Sequence, residues 1–376
     1  MEPFALEIPD SKLEDLRSRI NAARWPEHQT TNDWSQGVPL AYLKTLCHYW
    51  VSEYRWRAFE ARLNRFSQFI TEIDSLDIHF LHVKSPEQHA KPLLLTHGWP
   101  GSVAEFLKVI EPLTDPVQFG GAGGDAFHIV CPSLPGYGLS GKPKAPGWGI
   151  EKIARAWNAL MLRLGYQTYF AQGGDWGATI TSEIGRQDLG ACRGIHVNMP
   201  VARPPAQALT NPTAEDQAAI DGFNFYRNWD SGYSKLQATR PQTFGYGLAD
   251  SPIAQAAWIL EKYWSWTDCN GDPGNALTPD EMLDNISLYW LTNSAASSGR
   301  LYWESFTKQN LDDPISLPMG ASIFPKEIIP LPKSWAQKRY QNIVYWNCLD
   351  AGGHFAALEK PATFVEEIRA CFRNMQ

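Results

Sequence analysis

The 376-residue sequence lacks several features that would assign it at once to a large class of proteins. It has no lysine- or arginine-rich run, and its 33 basic and 40 acidic side chains give a net charge of −7, so nucleic acid is not expected as a partner. No apolar stretch is long enough to cross a membrane, and the acidic N-terminus does not resemble a signal peptide. We therefore expect a soluble protein of the cytoplasm.

The cysteine pattern argues against a disulfide-rich protein and against a zinc site. The six cysteines are widely scattered and show no Cys-x-x-Cys spacing, which indicates buried thiols. The glycine-rich stretch at residues 120–124 lacks the Lys-Ser/Thr of a P-loop and does not directly follow a strand, so it is interpreted as a flexible loop. Neither a metal nor a cofactor is implied.

Aromatic residues are abundant, with 16 Trp, 14 Tyr and 17 Phe. The overall balance of 44% hydrophobic and 19% charged residues is that of a globular protein. Many of the aromatic rings must belong to the core, and such a density also suits an apolar pocket with a few polar tips. The length allows two domains, or one large domain with an insertion.

The N-terminal region has helical patterning. A cap at residues 10–11 and a stop at residues 25–26 predict a first helix, and apolar spacing predicts a second from about residue 40 to about residue 63. No acid/base cluster accompanies them. We predict an N-terminal helical arm, residues 1–66, that packs against a larger core.

Two strands are predicted next, at residues 69–73 and 76–83, with a turn between them. His79 and His82 lie on the second of these strands. Residues three apart on a strand point to opposite faces, so the two histidines are not expected to share a metal ion.

The remaining pattern alternates strands and helices, which predicts an α/β fold with a mostly parallel sheet and helices on both faces. The predicted strands lie at residues 92–96, 127–132, 169–171, 194–199, 315–324 and 342–346, and helices are predicted from about residue 104, over residues 149–164 and after Pro361. We predict a core formed by residues 67–200 and 313–376. Between these two parts, the helical and aromatic residues 201–312 are predicted to form a lid over the sheet edge.

The sequence Gly-Gly-Asp-Trp-Gly at residues 173–177 has the shape of a nucleophile elbow. Asp175 stands where a Gly-x-Ser-x-Gly motif would carry serine. An apolar run precedes the motif, a helix is predicted after it, and small residues leave room for a strained turn. Taken alone, the motif also fits an ordinary glycine-rich turn with a solvated aspartate.

Functional groups of a parallel α/β sheet gather at the carboxyl ends of its strands. Three such positions carry Asp175, Glu327 and His354, in the chain order nucleophile, acid, histidine that α/β-hydrolases use. Asp350 and the pair at residues 312–313 are rivals for the acid. We favour Glu327 because it follows a predicted strand.

Three motifs stand out: His-Gly-Trp-Pro-Gly-Ser at residues 97–102, the elbow at residues 173–177, and Gly-Gly-His-Phe-Ala-Ala-Leu-Glu-Lys-Pro at residues 352–361. Together they resemble the signatures of the microsomal-type epoxide hydrolases. The resemblance covers nearly the whole chain and includes the N-terminal arm. It implies the α/β-hydrolase fold, and the N-terminal membrane anchor of the mammalian members is expected to be missing.

The resemblance also implies roles within the lid and at the sheet. Lid segments 231–237 and 300–304 resemble those that carry the ring-opening tyrosines, which points to Tyr233 and Tyr302. The segment that ends at Glu327 resembles the one that carries the triad acid.

The implied chemistry is the conversion of an epoxide and water to a vicinal diol. Asp175 would open the epoxide with the help of the two phenols and become a glycol monoester. Water activated by His354, which Glu327 orients, would then hydrolyse the ester. The backbone N–H groups of Trp99 and Trp176 would form the oxyanion hole.

Other functions remain open at this point. A haloalkane or haloacid dehalogenase uses the same kind of aspartate, a non-catalytic homologue would keep the pocket for binding alone, and an esterase is disfavoured because the elbow has no serine. We expect a small hydrophobic epoxide and water as partners. The natural substrate, the regio- and enantioselectivity, a role in detoxification or in biosynthesis, and a homo-oligomeric state are left undecided.

Overall fold

The structure is a computed structural model that describes residues 1–329 and 331–375. Its strands are β1 (Glu2–Phe4), β2 (Gln68–Ile73), β3 (Leu76–Val83), β4 (Lys91–Thr96), β5 (Phe127–Pro132), β6 (Tyr169–Gly173), β7 (Cys192–Val197), β8 (Met319–Ile323) and β9 (Ile343–Cys348). They form one sheet in the order β1-β2-β3-β5-β4-β6-β7-β8-β9. Strands β4 to β9 pair in parallel, and β1, β2 and β3 pair antiparallel. The predicted mostly parallel sheet is confirmed.

The α-helices surround and extend this sheet. They are α1 (Asp10–Asn21), α2 (Leu40–Ser52), α3 (Trp56–Asn64), α4 (Ile110–Thr114), α5 (Ile150–Arg163), α6 (Trp176–Gln187), α7 (Ala206–Thr210), α8 (Ala214–Phe225), α9 (Gly232–Thr239), α10 (Pro241–Asp250), α11 (Pro252–Trp266), α12 (Pro279–Leu291), α13 (Ala295–Ser305), α14 (Lys333–Arg339), α15 (Ala356–Glu359) and α16 (Pro361–Arg373). A π-helical turn, Tyr226–Asp230, separates α8 from α9.

Helices cover both faces of the sheet, as neighbouring residues of β7 show. The Ile195 side chain packs beside Gly185 of α6. The ring of His196 instead meets that of Phe372 in α16, with 6.3 Å between centroids. Because successive strand residues point to opposite faces, α6 and α16 lie on opposite sides of the sheet.

The β2–β3 hairpin has the predicted two-residue turn, in which Asp74 and Ser75 both have positive φ angles, of 50° and 61°. His79 is buried and hydrogen-bonded to Ser133 and Gln68. Among residues 1–329 and 331–375, no group of three or more His, Cys, Asp or Glu could hold a metal ion.

Two details of the arm differ from the sequence prediction. The first helix has Pro9 at its cap position with no side-chain cap, so the predicted cap at residues 10–11 is wrong. The predicted second helix is broken into α2 and α3, with Tyr54 in the break. Arg55 has extended backbone angles, φ −119° and ψ 93°, between the two helices, and the buried Tyr54 hydroxyl donates to Asp284 of α12 at 3.0 Å.

Three predictions for the core also need correction. The helix predicted from about residue 104 is a short 3₁₀ helix, Val103–Phe106, followed by α4. The strand predicted at residues 315–324 is reduced to β8 because Pro318 has no N–H to donate, and Ile315 forms only an isolated bridge. Finally, Cys348 at the end of the edge strand β9 is exposed, whereas the other cysteines are buried as expected.

The segment predicted to form the lid, called the lid below, contains α7 to α13, and helices α2 and α3 of the predicted arm contact it. Trp50 Nε1 donates to Ser287 Oγ of α12 at 2.9 Å. Asp284 of the same helix accepts from Tyr54 and forms an ion pair with Arg62. Burial raises the pKa of Asp284 to about 6, although Arg62 opposes the shift. The arm therefore fixes α12 through buried polar contacts.

The predicted boundaries at residues 66, 200 and 312 fall between secondary-structure elements, and the division into arm, core and lid stays a prediction. Of the helices in the described ranges, none combines the length and the apolar character needed to span a bilayer.

Candidate active site

The predicted elbow is a tight turn between β6 and α6 with Asp175 at its apex. Asp175 has φ 51° and ψ −128°, a conformation that residues other than glycine rarely adopt. Its side chain is largely buried, with 8% of the residue exposed. Backbone strain of this kind concentrates at functional sites, where the surrounding structure holds it in place.

Three glycines make this turn sterically feasible. A Cβ atom on Gly177 would lie 1.9 Å from the carbonyl oxygen of Thr96, and one on Gly173 would lie 2.1 Å from that of Gly177. A Cβ atom on Gly98 would lie 2.2 Å from Asp175 Oδ1. The elbow and the turn after β4 are therefore packed backbone against backbone.

The two oxygens of the Asp175 carboxylate have different partners. Oδ1 accepts a hydrogen bond from the backbone N–H of Trp99 at 2.8 Å. Oδ2 lies 3.3 Å from His354 Nε2. Trp176, the other predicted oxyanion donor, is the first residue of α6, where backbone N–H groups have no acceptor within the helix.

His354 and Glu327 form a buried pair at the ends of two neighbouring strands. His354 Nδ1 lies 2.6 Å from Glu327 Oε1, and an isolated bridge between Lys326 and Gly353 aligns the two loops. The rival acids lie elsewhere. Asp350 is exposed, and the acids at residues 312–313 pair with arginines.

The ionisation of His354 reflects its place between two carboxylates. Burial favours the neutral ring and lowers the pKa of His354, but Glu327 and Asp175 together outweigh burial and raise that pKa well above its ordinary value. With Asp175 ionised, the imidazole is therefore held as a cation. Removing the charge on Asp175 would lower the pKa of His354, while Glu327 would still raise it.

The two predicted tyrosines meet above the elbow. Tyr233 of α9 and Tyr302 of α13 are both buried, and their ring centroids are 5.8 Å apart. Tyr233 stacks on Trp99 at 4.7 Å, while Tyr302 meets Trp176 edge-on at 4.8 Å. Burial raises the pKa of both phenols well above the ordinary value. The charge on Asp175 raises both pKa values further, and Tyr302 also raises that of Tyr233. Both hydroxyls are therefore protonated at neutral pH.

The structure adds two residues that the sequence did not single out. The Tyr226 hydroxyl lies 3.2 Å from that of Tyr233 and belongs to the π-helical turn, a feature often found at functional sites. Burial raises the pKa of Glu105 to about 8, with His354 lowering it and Asp175 raising it. Neither residue belongs to a recognisable motif. Each is identified only by its position beside the predicted site residues in the folded protein.

The lid is tied directly to the loop that carries His354. The backbone N–H of His354 donates to the carbonyl oxygen of Trp266 at the end of α11. Asp268 accepts from the N–H of Gly352, and the Glu359 carboxylate accepts from the N–H groups of Asp268 and Phe355. The end of α11 and residues 352–359 thus form one hydrogen-bonded unit.

Comparisons with known proteins agree with this architecture. Residues 1–106 match the family model described as "Epoxide hydrolase N terminus", and residues 91–254 match that described as "alpha/beta hydrolase fold". The chain is 52% identical over 374 residues to a protein of Stigmatella aurantiaca named "Putative epoxide hydrolase", covering 100% of this chain and 85% of that protein.

Two further relatives extend the comparison. The chain is 35% identical over 398 residues to Epoxide hydrolase 1 of Sus scrofa, covering 98% of this chain and 88% of the other. It also superposes on the structure of Aspergillus niger epoxide hydrolase with a TM-score of 0.90, 35% identity, and coverage of 100% of this chain and 96% of the other. The chain therefore belongs to the epoxide hydrolase family and is a hydrolase with the α/β-hydrolase fold.

Proposed function

We propose that this enzyme opens an epoxide through a covalent ester on Asp175 and hydrolyses that ester with water activated by His354, releasing a vicinal diol. One observation carries the proposal: the Asp175 carboxylate lies between a backbone donor, the Trp99 N–H at 2.8 Å, and the His354 imidazole at 3.3 Å. This arrangement suits a carboxylate that is first a nucleophile and then an acyl centre.

In the first step, Asp175 Oδ2 attacks a carbon of the epoxide while Trp99 holds Oδ1. A carbon–oxygen bond forms to Asp175 and the ring carbon–oxygen bond breaks, leaving its electron pair on the epoxide oxygen. Tyr233 and Tyr302 supply the proton that this oxygen needs. Their raised pKa values keep both phenols protonated until the alkoxide forms.

The second step follows from the loss of charge on Asp175. Once the carboxylate is an ester, His354 has one charged neighbour instead of two, so its pKa falls and it can accept a proton from water. Glu327 remains bonded to Nδ1 and fixes the tautomer. Water attacks the ester carbonyl carbon of Asp175, and the diol leaves.

The oxyanion of this second step develops beside the turn after β4. Oδ1 is already hydrogen-bonded to Trp99, and the N–H of Trp176 follows Asp175 directly in the chain. Each such donor is typically worth about 3 kcal/mol in the transition state. An aspartate suits this chemistry because its ester can be hydrolysed, whereas a serine would be left as a stable ether.

The lid favours a small hydrophobic epoxide over a haloalkane. The aromatic rings of Trp99, Trp176, Tyr233 and Tyr302 contact one another above Asp175 and offer an apolar surface. A departing halide needs hydrogen-bond donors but no proton, whereas an oxirane oxygen needs an acid. The paired phenols therefore argue against dehalogenation.

The test is a single turnover in ¹⁸O-labelled water with enzyme in excess over styrene oxide. Mass spectrometry of the peptide that contains Asp175 should find the label in its carboxylate, and the diol of the first turnover should be unlabelled. Label in the diol alone would refute the covalent mechanism. A panel of aryl and aliphatic epoxides assayed beside haloalkanes then defines the substrate class.

A further inference from the structure

Lys262 of α11 is a buried lysine that the mechanism above does not use. Only 3% of the residue is exposed. Its ammonium nitrogen lies 3.0 Å from Asp230 Oδ1 and 2.7 Å from Glu261 Oε2. Buried lysines are rare because desolvating the charge is costly, so a lysine held in the lid by two carboxylates calls for an explanation.

The same ammonium lies over two aromatic rings of the site. It is 4.6 Å from the ring centroid of Tyr233 and 5.1 Å from that of Trp266. Trp266 in turn contacts the His354 imidazole edge-on, with 5.0 Å between centroids. Lys262 therefore contacts the proposed proton donor directly and is separated from the proposed base by one residue, Trp266.

A cation over a phenol ring is attracted to it more strongly once the phenol has lost its proton. With neutral tyrosine the attraction is to the electron-rich face of the ring, whereas with phenolate it is a direct attraction of opposite charges. The interaction is thus stronger in the ring-opening transition state than before it. Only such a difference accelerates a reaction step.

The other groups around Tyr233 do not supply this charge. Asp175 faces the phenol from the core and disfavours phenolate, while Tyr226 and Tyr302 are neutral phenols from the π-helical turn and α13. The carboxylates of Asp230 and Glu261 bring two negative charges beside the ammonium and offset its effect on Tyr233.

That offset is limited in two ways. Asp230 also accepts hydrogen bonds from Trp266 Nε1 at 2.5 Å and Ser265 Oγ at 3.2 Å, which spread its negative charge over further donors. Burial raises the pKa of Glu261, which makes its charged form less favourable.

We infer that Lys262 is a positioning residue that acts through Tyr233, because its ammonium stabilises the phenolate that forms as Tyr233 protonates the opening epoxide. The inference rests on the proposed function. In this step the Tyr233 O–H proton passes to the epoxide oxygen, the O–H electron pair stays on the phenol oxygen, and Lys262 keeps its own protons. The free alkoxide of the ester intermediate therefore does not build up in the apolar pocket.

The experiment compares Lys262→Met with Lys262→Arg in single turnovers of styrene oxide, which resolve formation of the ester from its hydrolysis. We expect Lys262→Met to slow ester formation about 30-fold, the size of a desolvated cation–π interaction, with hydrolysis unchanged. Lys262→Arg keeps the cation and should recover most of the rate. Equal slowing of both steps would mean a structural role and would overturn the inference.

A second comparison isolates the acidity of the phenol. Replacing Tyr233 with 3-fluorotyrosine, a more acidic phenol, should restore ester formation in Lys262→Met. In a Tyr233→Phe background, Lys262→Met should have no further effect, since the residue through which Lys262 acts is gone. Failure of the rescue, or full additivity of the two substitutions, refutes the inference.

Glu261→Gln provides a test that does not require removal of the lysine, should Lys262→Met not fold. It removes one of the carboxylates that offset the ammonium, so ester formation should become faster; an unchanged or lower rate contradicts the inference. Asp175→Asn separates the two proposals. If that variant still forms diol, the covalent mechanism fails. If Asp175→Asn is inactive but Lys262→Met forms the ester at the wild-type rate, the inference about Lys262 fails and the covalent mechanism stands.

Discussion

His354 Nε2 lies 3.3 Å from Asp175 Oδ2, so the proposed base contacts the carboxylate whose ester the activated water would attack. The contact is an ion pair while Asp175 is a carboxylate, because Glu327 and Asp175 together raise the pKa of His354. Ester formation would break this ion pair. The alkylation of Asp175 would thereby prepare the base for the next step.

We predict that His354→Gln traps the ester. Ester formation should continue because the nucleophile and the tyrosines are intact, while diol formation should fall at least about 100-fold without the general base. Intact-protein mass spectrometry after addition of an epoxide should show the mass of enzyme plus substrate. His82→Gln is the matched control, since His82 bonds to Tyr166 away from the site. Normal turnover by His354→Gln would remove His354 from its role.

We predict that Tyr233→Phe and Tyr302→Phe each slow ester formation by about 100-fold and that the double variant is slower still, because the alkoxide then lacks a proton donor. Rapid-quench measurement of epoxide consumption in a single turnover provides the rate. Tyr246→Phe, a change at an exposed lid tyrosine, should behave as wild type. Unchanged ester formation in the double variant would show that the lid phenols are not the acids.

We predict different outcomes for alanine at two glycines of the site. Gly177→Ala should destabilise the fold by about 3 kcal/mol, because its Cβ meets the backbone of Thr96. In Gly98→Ala, the new Cβ would collide with the Asp175 side chain. This substitution should therefore displace the carboxylate and slow ester formation about 100-fold. Urea unfolding and single-turnover kinetics separate the two effects. Gly124→Ala, whose Cβ has no neighbour within 4 Å, is the control.

We predict that Glu105 makes the enzyme less stable at alkaline pH. Its pKa is raised to about 8 in the folded state, chiefly by burial, so between the ordinary glutamate pKa and about 8 the unfolded chain has already lost the proton that the folded chain keeps. Stability therefore falls as pH rises through this window. Glu105→Gln should match wild type at pH 4 and be more stable at pH 9, as measured by urea unfolding. An equal pH dependence in both proteins would contradict this.

Much of the architecture follows from local sequence. The alternation of strands and helices predicts the parallel sheet, and the chain order of Asp175, Glu327 and His354 anticipates three residues that the fold brings into contact. Such patterns predict structure because tight turns favour particular residue types, and because functional residues of parallel sheets lie at the carboxyl ends of the strands. Their proposed catalytic roles stay predictions until the experiments above are done.

The features that the sequence did not predict depend on contacts between distant segments. Tyr54, in the break between α2 and α3, hydrogen-bonds to Asp284, 230 residues further along the chain. Lys262 looks like an ordinary lysine in an amphipathic helix, and only the folded lid places it over Tyr233. The strand β1 has three residues, too few for a period to be recognised.

The hydrogen bonds between the end of α11 and residues 352–359 have a consequence for protein engineering. The Trp266 carbonyl and the Asp268 side chain hydrogen-bond to the loop that carries His354. If the lid were replaced by that of a relative, this loop would have to bond to a different helix end. Chimeras that alter substrate range should therefore transfer both segments together. The end of α11 and the loop that carries His354 would then be exchanged as one hydrogen-bonded unit.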